Sequence, residues 1–138
     1  MINFNYETTF KLETEDEISK WISNAISSEG FKLEEISYVF CNDEYLHKLN
    51  VEFLNHDTLT DIISFDYSMG KLIQGDIFIS VERVRDNAKD FGVSFDEELN
   101  RVIIHGVLHY CGYKDKTSSD AEVMRAKENH YLSILQKN

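Results

Sequence analysis

The sequence predicts an α/β (α+β) fold in which about five helices cover a small mixed four-stranded sheet. Three observations predict it. Period-two alternation and short apolar runs mark strands, apolar residues spaced three and four apart mark helices, and the two kinds of segment alternate along the chain. With 138 residues and no repeat, low-complexity tract or proline-rich linker, residues 1–138 read as a single domain able to bury a core without disulfides. Strand order does not follow from these patterns.

Phe4, Tyr6, Thr8, Phe10 and Leu12 alternate with polar or small residues, which predicts a half-buried first strand. Thr14 and Glu17 have the form of a capping box, and Ile18, Trp21, Ile22, Ala25 and Ile26 then fall on one face of a helix that Gly30 stops. A second strand is predicted from about Ile36 to Cys41, where β-branched and aromatic residues concentrate. Asn42 is placed to cap a helix with Leu46, Leu49 and Phe53 inward and His47 toward water. The polar stretch from Asn55 to Asp61 feeds the apolar run Ile62-Ile63-Ser64-Phe65, a strand covered on both faces. After a turn at Met69-Gly70, Ile73 and the stretch from Gly75 to Ser80 make another strand, and the two are a candidate hairpin.

Val81 to about Phe91 is predicted helical with Gly92 as its stop, and Ser94 with Glu97 forms the next capping box. The helix that follows carries Leu99, Val102, Ile103 and Val107 as its apolar stripe, with His105 and His109 beside it. Ser119 with Glu122 opens a last helix whose core face is expected at Val123, Ala126, Ile134 and Leu135.

The chemistry concentrates in His105-Gly106-Val107-Leu108-His109-Tyr110-Cys111-Gly112-Tyr113-Lys114-Asp115. Four residues turn a helix through roughly 400°, so the imidazoles of His105 and His109 point within about 40° of each other, one turn apart. Both can reach one cation. Gly112 suits a left-handed helix end, after which the chain can return Asp115 over the same face. Two nitrogens, one carboxylate oxygen and an open fourth position are the ligand count of a catalytic zinc site. The competing reading is a pair of half-buried, satisfied histidines. Gly106 narrows the chemistry, because in His-Glu-x-x-His peptidases that position holds the glutamate that activates water. A zinc peptidase is disfavoured, and the proton acceptor must come from elsewhere.

His105, Gly106, Leu108, His109, Gly112 and Tyr113 resemble, residue for residue, the signature of the YbeY family of metal-dependent endoribonucleases: His-Gly-x-Leu-His-x-x-Gly-Tyr followed by Asp-His. Lys114-Asp115 stands in place of that last pair, so Asp115 occupies the register of the family's third histidine, and a carboxylate is an acceptable zinc ligand. The similarity continues at Leu49-Asn50, Asp57, Thr60-Asp61 leading into Ser64-Phe65, Gly75-Asp76-Ile77, Met124 and Glu128, covering roughly residues 45 to 130. One departure is Leu54, where the family usually has an arginine that would contact phosphate. The resemblance implies a zincin-like sheet and one Zn2+ per chain held by His105, His109 and Asp115. It also implies cleavage of single-stranded RNA in the maturation and quality control of small-subunit ribosomal RNA, with that RNA and the ribosomal small subunit as partners. Lys114 and Lys116 flank the third ligand and are the local candidates for a cation at the scissile phosphate. With His105 and His109 they make the expected catalytic set.

Composition constrains this expectation. The net charge of −11 means that any basic surface for RNA must be local, since phosphate neutralisation supplies most nucleic-acid affinity. Lys114, Lys116 and Arg101, one turn before His105, are the candidates. No apolar run approaches the ~20 residues of a membrane span, and the first residues lack the basic start and apolar run of a secretory signal. With only Cys41 and Cys111, too isolated for a disulfide framework, a cytoplasmic location without a membrane partner is expected. Cys111 points about 200° around the helix from His109 and is expected to pack. Two other functions fit the same residues: a zinc hydrolase of another substrate class, favoured by the acidic surface, and a ribosome-associated binding module with a structural metal.

Overall fold

Along residues 72–80 the side chains of Ile73, Ile77 and Ile79 are buried in one cluster and Phe78 packs against another, so this strand separates two cores. The computed structural model describes residues 1–136. Its elements are β1 (Ile2–Tyr6), α1 (Glu15–Ser28), β2 (Lys32–Cys41), α2 (Asp43–Leu54), β3 (Ile62–Asp66), β4 (Leu72–Ser80), α3 (Val81–Phe91), α4 (Phe95–Tyr110) and α5 (Ser118–Gln136). The sheet runs β1-β2-β4-β3, with β1 and β4 parallel to β2 and β3 antiparallel to β4. This is the mixed four-stranded sheet with five helices that the sequence predicts.

The larger core joins Ile36, Tyr38 and Phe40 of β2 and the isoleucines of β4 to Trp21, Ile22 and Ile26 of α1, to the inner face of α4, and to Met124, Tyr131 and Leu132 of α5. The smaller one joins Cys41, Ile63, Phe65 and Phe78 to Leu46 and Leu49 of α2. The outermost strand β3 therefore alternates between them, with Ile62 toward the larger core and Ile63 toward the smaller.

Several elements differ from expectation. The strand expected to reach Leu12 ends at Tyr6, opposite Phe40, where its parallel partner is one residue from its own end. Phe10 and Leu12 still pack on the core, but from a loop held by the Leu12 N–H donating to the Tyr6 hydroxyl at 3.2 Å. Thr14 precedes α1 without accepting a side-chain cap bond, and Glu15, Asp16 and Glu17 complement the helix N-terminus instead. On α2 the Asn42 cap forms, accepting from the Tyr45 N–H at 2.9 Å, yet Phe53 is 60% exposed and Asn50 is buried, donating to the Thr58 carbonyl at 2.8 Å. His47 is half-buried and sits 2.7 Å from Asp57 rather than facing water alone.

The largest difference is on α5. Its cap is Thr117, whose hydroxyl accepts from the Asp120 N–H at 3.1 Å, and its buried face is Met124, Glu128, Tyr131 and Leu132. Val123 (50% exposed) and Ile134 (40% exposed) face out, as does Ala126, while Leu135 is half-buried. A glutamate in the middle of the buried stripe disguises that stripe in the apolar pattern. Among the described residues no helix is long and apolar enough to cross a membrane.

Candidate metal centre

Glycine at 106 sets how closely α4 approaches the sheet. A Cβ there would lie 2.9 Å from Ile77 Cδ1 and 3.2 Å from Ile62 Cδ1, so the position next to His105 is a packing contact with no room for a carboxylate. Ile103, Ile104, Val107 and Leu108 are buried around it, leaving His105 and His109 half-exposed on the helix's other side. The helix then ends in a Schellman arrangement. Gly112 (φ 98°) donates its N–H to the His109 carbonyl at 3.0 Å and Tyr113 donates its own to the Leu108 carbonyl at 3.0 Å. This reversal brings residue 115 back over the histidines. Cys111, its thiol pushed by burial up to about 12, packs half-buried against the core.

The Nε2 atoms of His105 and His109 are 2.9 Å apart, and Asp115 Oδ2 lies 3.3 Å from the first and 3.6 Å from the second. One ligand atom from each of the three falls within 4.8 Å of the others. The far ring nitrogens are both occupied: His105 Nδ1–H donates to Glu128 Oε2 at 2.7 Å, and His109 Nδ1–H donates to the Tyr113 carbonyl at 3.0 Å. Engagement of both Nδ1 atoms turns each Nε2 toward the shared centre, where a cation would replace the 2.9 Å contact between the two rings. Two imidazole nitrogens and a carboxylate oxygen, oriented in this way, fit a divalent cation of the zinc type.

A layer of charge lies behind the histidines. Glu128, buried on α5, receives Arg101 Nη1 at 2.9 Å on its other oxygen, while Arg101 Nη2 donates to Asn129 Oδ1 at 2.9 Å. Burial would raise the Glu128 carboxyl, but its bonds to His105 and Arg101 hold it below the usual range. Burial would lower His105, yet Glu128 more than offsets this and leaves it raised; His109 is lowered by burial and by its neighbour His105. Two further carboxyls approach, Asp61 before β3 and Glu98 on α4, both pushed up chiefly by burial.

The expected ligands His105, His109 and Asp115 are thus brought together. Lys114 and Lys116 are exposed beside Asp115 and make no ion pair among the described residues. Arg101, expected as local basic surface, is instead only 16% exposed and committed to Glu128. His130, another donor on α5, is exposed and meets the Tyr131 ring edge-to-face, 4.9 Å between centroids. Leu54, in place of an arginine, is 41% exposed at the end of α2. Sequence reasoning missed the Tyr113 carbonyl, which carries no side-chain signal, and the orienting role of Glu128. A lone glutamate inside a helical core stripe, one helix beyond a histidine pair, is the signal that would have found Glu128.

Comparison with known proteins covers nearly the whole chain. The model of the family described as "Endoribonuclease YbeY" matches residues 2–136. A protein of that name from Flavobacterium johnsoniae is 65% identical over 135 residues, covering 98% of this chain and 97% of the relative. Those from Christiangramia forsetii and Bacteroides thetaiotaomicron are 54% identical (97% and 94% covered) and 48% identical (86% of each covered). Among solved structures, the solution structure of TM1509 from Thermotoga maritima shares the fold with a TM-score of 0.71 at 23% identity, over 98% of this chain and 89% of that one.

Proposed function

This chain belongs to the Endoribonuclease YbeY family, hydrolases of RNA phosphodiester bonds, and we propose that it is a zinc-dependent member that cleaves single-stranded RNA during small-subunit ribosomal RNA maturation. On this reading it works in the cytoplasm with the ribosomal small subunit as partner and also serves ribosome quality control. The observation that carries the metal assignment is the convergence of His105 Nε2, His109 Nε2 and Asp115 Oδ2 while both Nδ1 atoms are engaged elsewhere. One Zn2+ per chain fits that donor set, and when bound it supplies Lewis-acid polarisation of the phosphodiester and of the attacking oxygen.

The protein's own contribution is orientation and charge. Glu128 holds the His105 ring, with Arg101 neutralising the buried carboxylate so that it stays ionised and accepting. The Tyr113 carbonyl holds His109. Lys114 and Lys116, exposed on either side of Asp115 in the chain, are the cations that would offset the negative charge growing on a phosphate at the centre in the transition state.

The acidic balance of the chain favours a second reading, a metal hydrolase of another substrate class; the packed Gly106 speaks against a peptidase. Metal analysis of the purified protein followed by cleavage of single-stranded RNA with and without chelator separates them. Zinc at one equivalent with chelator-sensitive cleavage is expected. Cleavage indifferent to metal removal would overturn the zinc assignment, and metal without RNA cleavage would favour the second reading.

A further inference from the structure

Glu29 ends α1 through its backbone N–H, which donates to the Ala25 carbonyl, yet every donor its carboxylate receives comes from the far end of the chain. Tyr113 donates its hydroxyl at 2.6 Å to one oxygen; the Tyr131 hydroxyl and Lys127 Nζ, the latter at 3.2 Å, donate to the other. Its side chain is only 10% exposed. Tyr113 is the residue that matters among the three. Its carbonyl takes the His109 Nδ1–H, and it lies two residues before Asp115 in the segment that the Schellman turn releases. Lys127 and Tyr131 sit on α5; Lys127 also lies over the Tyr113 ring, 5.6 Å from its centroid, and neither forms a hydrogen bond to His105, His109 or Asp115 among the described residues.

We propose that Glu29 is a positioning residue for the metal centre. By anchoring the Tyr113 phenol it fixes, in one movement, the carbonyl that orients His109 and the stretch of backbone that presents Asp115. The segment from Gly112 to Thr117 has no regular structure of its own and is held at its two ends by the turn that closes α4 and by the Thr117 cap of α5, so the Tyr113 phenol is the side-chain anchor nearest Asp115. The inference rests on the reading of His105, His109 and Asp115 as ligands. The rival role for Glu29 is a plain brace between α1 and α5, which Tyr131 and Lys127 would satisfy without Tyr113.

Zinc affinity of the full chain, measured by competition with a chromophoric chelator, separates the two roles when read beside the melting temperature of the metal-free protein. Tyr113→Phe and Glu29→Ala should each weaken zinc binding about tenfold, the lower end of what orienting partners of metal ligands provide. The double variant should be no weaker than Glu29→Ala alone, because both act through one contact. Tyr131→Phe should lower the melting temperature and leave zinc affinity unchanged. Parent-like binding by Tyr113→Phe, or an equal loss in Tyr131→Phe, overturns the proposal while leaving the metal centre standing. A parent chain that binds no zinc overturns both.

Discussion

Glu128 lies 2.7 Å from the Nδ1 atom of His105, across 23 residues and from a different helix. The pair couples the ring that faces the candidate metal centre to a carboxylate inside the core. Glu128→Gln should therefore weaken metal binding by about 10- to 100-fold, since it alters the partner that fixes the ring's tautomer and direction. Glu128→Ala should in addition lower stability, because it strands the mostly buried guanidinium of Arg101. Chelator competition and thermal melting read the two effects separately.

His105→Ala and His109→Ala should each abolish tight metal binding while the fold persists, because the packing stripe of α4 runs beside the ligands rather than through them. Asp115→Ala should reduce affinity and Asp115→His should retain or raise it. Full metal occupancy in either histidine variant would remove the assignment.

Lys114 and Lys116 carry a prediction about salt. If they meet RNA phosphates, replacing each by Ala lowers the salt-dependence slope of RNA binding by about one for each phosphate left without its cation, with weaker binding across all sequences. An unchanged slope and cleavage rate in the double variant would shift the phosphate contacts to a partner that delivers the RNA.

Acid should loosen the Glu29 anchor. Burial would raise this carboxyl, but the bonds from Tyr113, Tyr131 and Lys127 outweigh burial and bring it below its ordinary value of 4.5. A depressed folded-state value means that its stabilisation is complete above 4.5 and fades as the pH falls through the lower folded value. Melting curves taken down through that range should fall more steeply for the parent than for Glu29→Gln. Parallel curves would show that the residue does not titrate with folding.

Gly106→Ala should destabilise the chain by about 1–3 kcal/mol, as overpacking of a filled interior does, since the new methyl meets Ile77 Cδ1 at 2.9 Å. Urea unfolding measures it. A neutral result would mean that α4 has room to move off the sheet.

Much of this was legible in the sequence because the signals are local. The α1 face from Ile18 to Ile26, the Asn42 and Ser94 caps, and the Gly92 and Gly112 helix ends each depend on residues within a turn or two, and each stands where the pattern put it. The histidine pair was legible for the same reason, helical spacing alone bringing the two rings together. What escaped is non-local. Glu128 looks like a surface residue until Arg101 and His105 close on it, and its burial turns the whole face of α5 away from Val123 and Ile134. Glu29 likewise reads as a solvated helix end, since all of its donors lie more than eighty residues away.

The place of Glu128 on the last helix also bears on the order of events during synthesis. A nascent chain that has emerged as far as Asp115 already carries both histidines and the carboxylate of the candidate centre, but lacks the group that orients His105 and the α5 side chains that close the larger core. Since domains mature as cooperative units rather than residue by residue, the centre should become competent only when α5 docks.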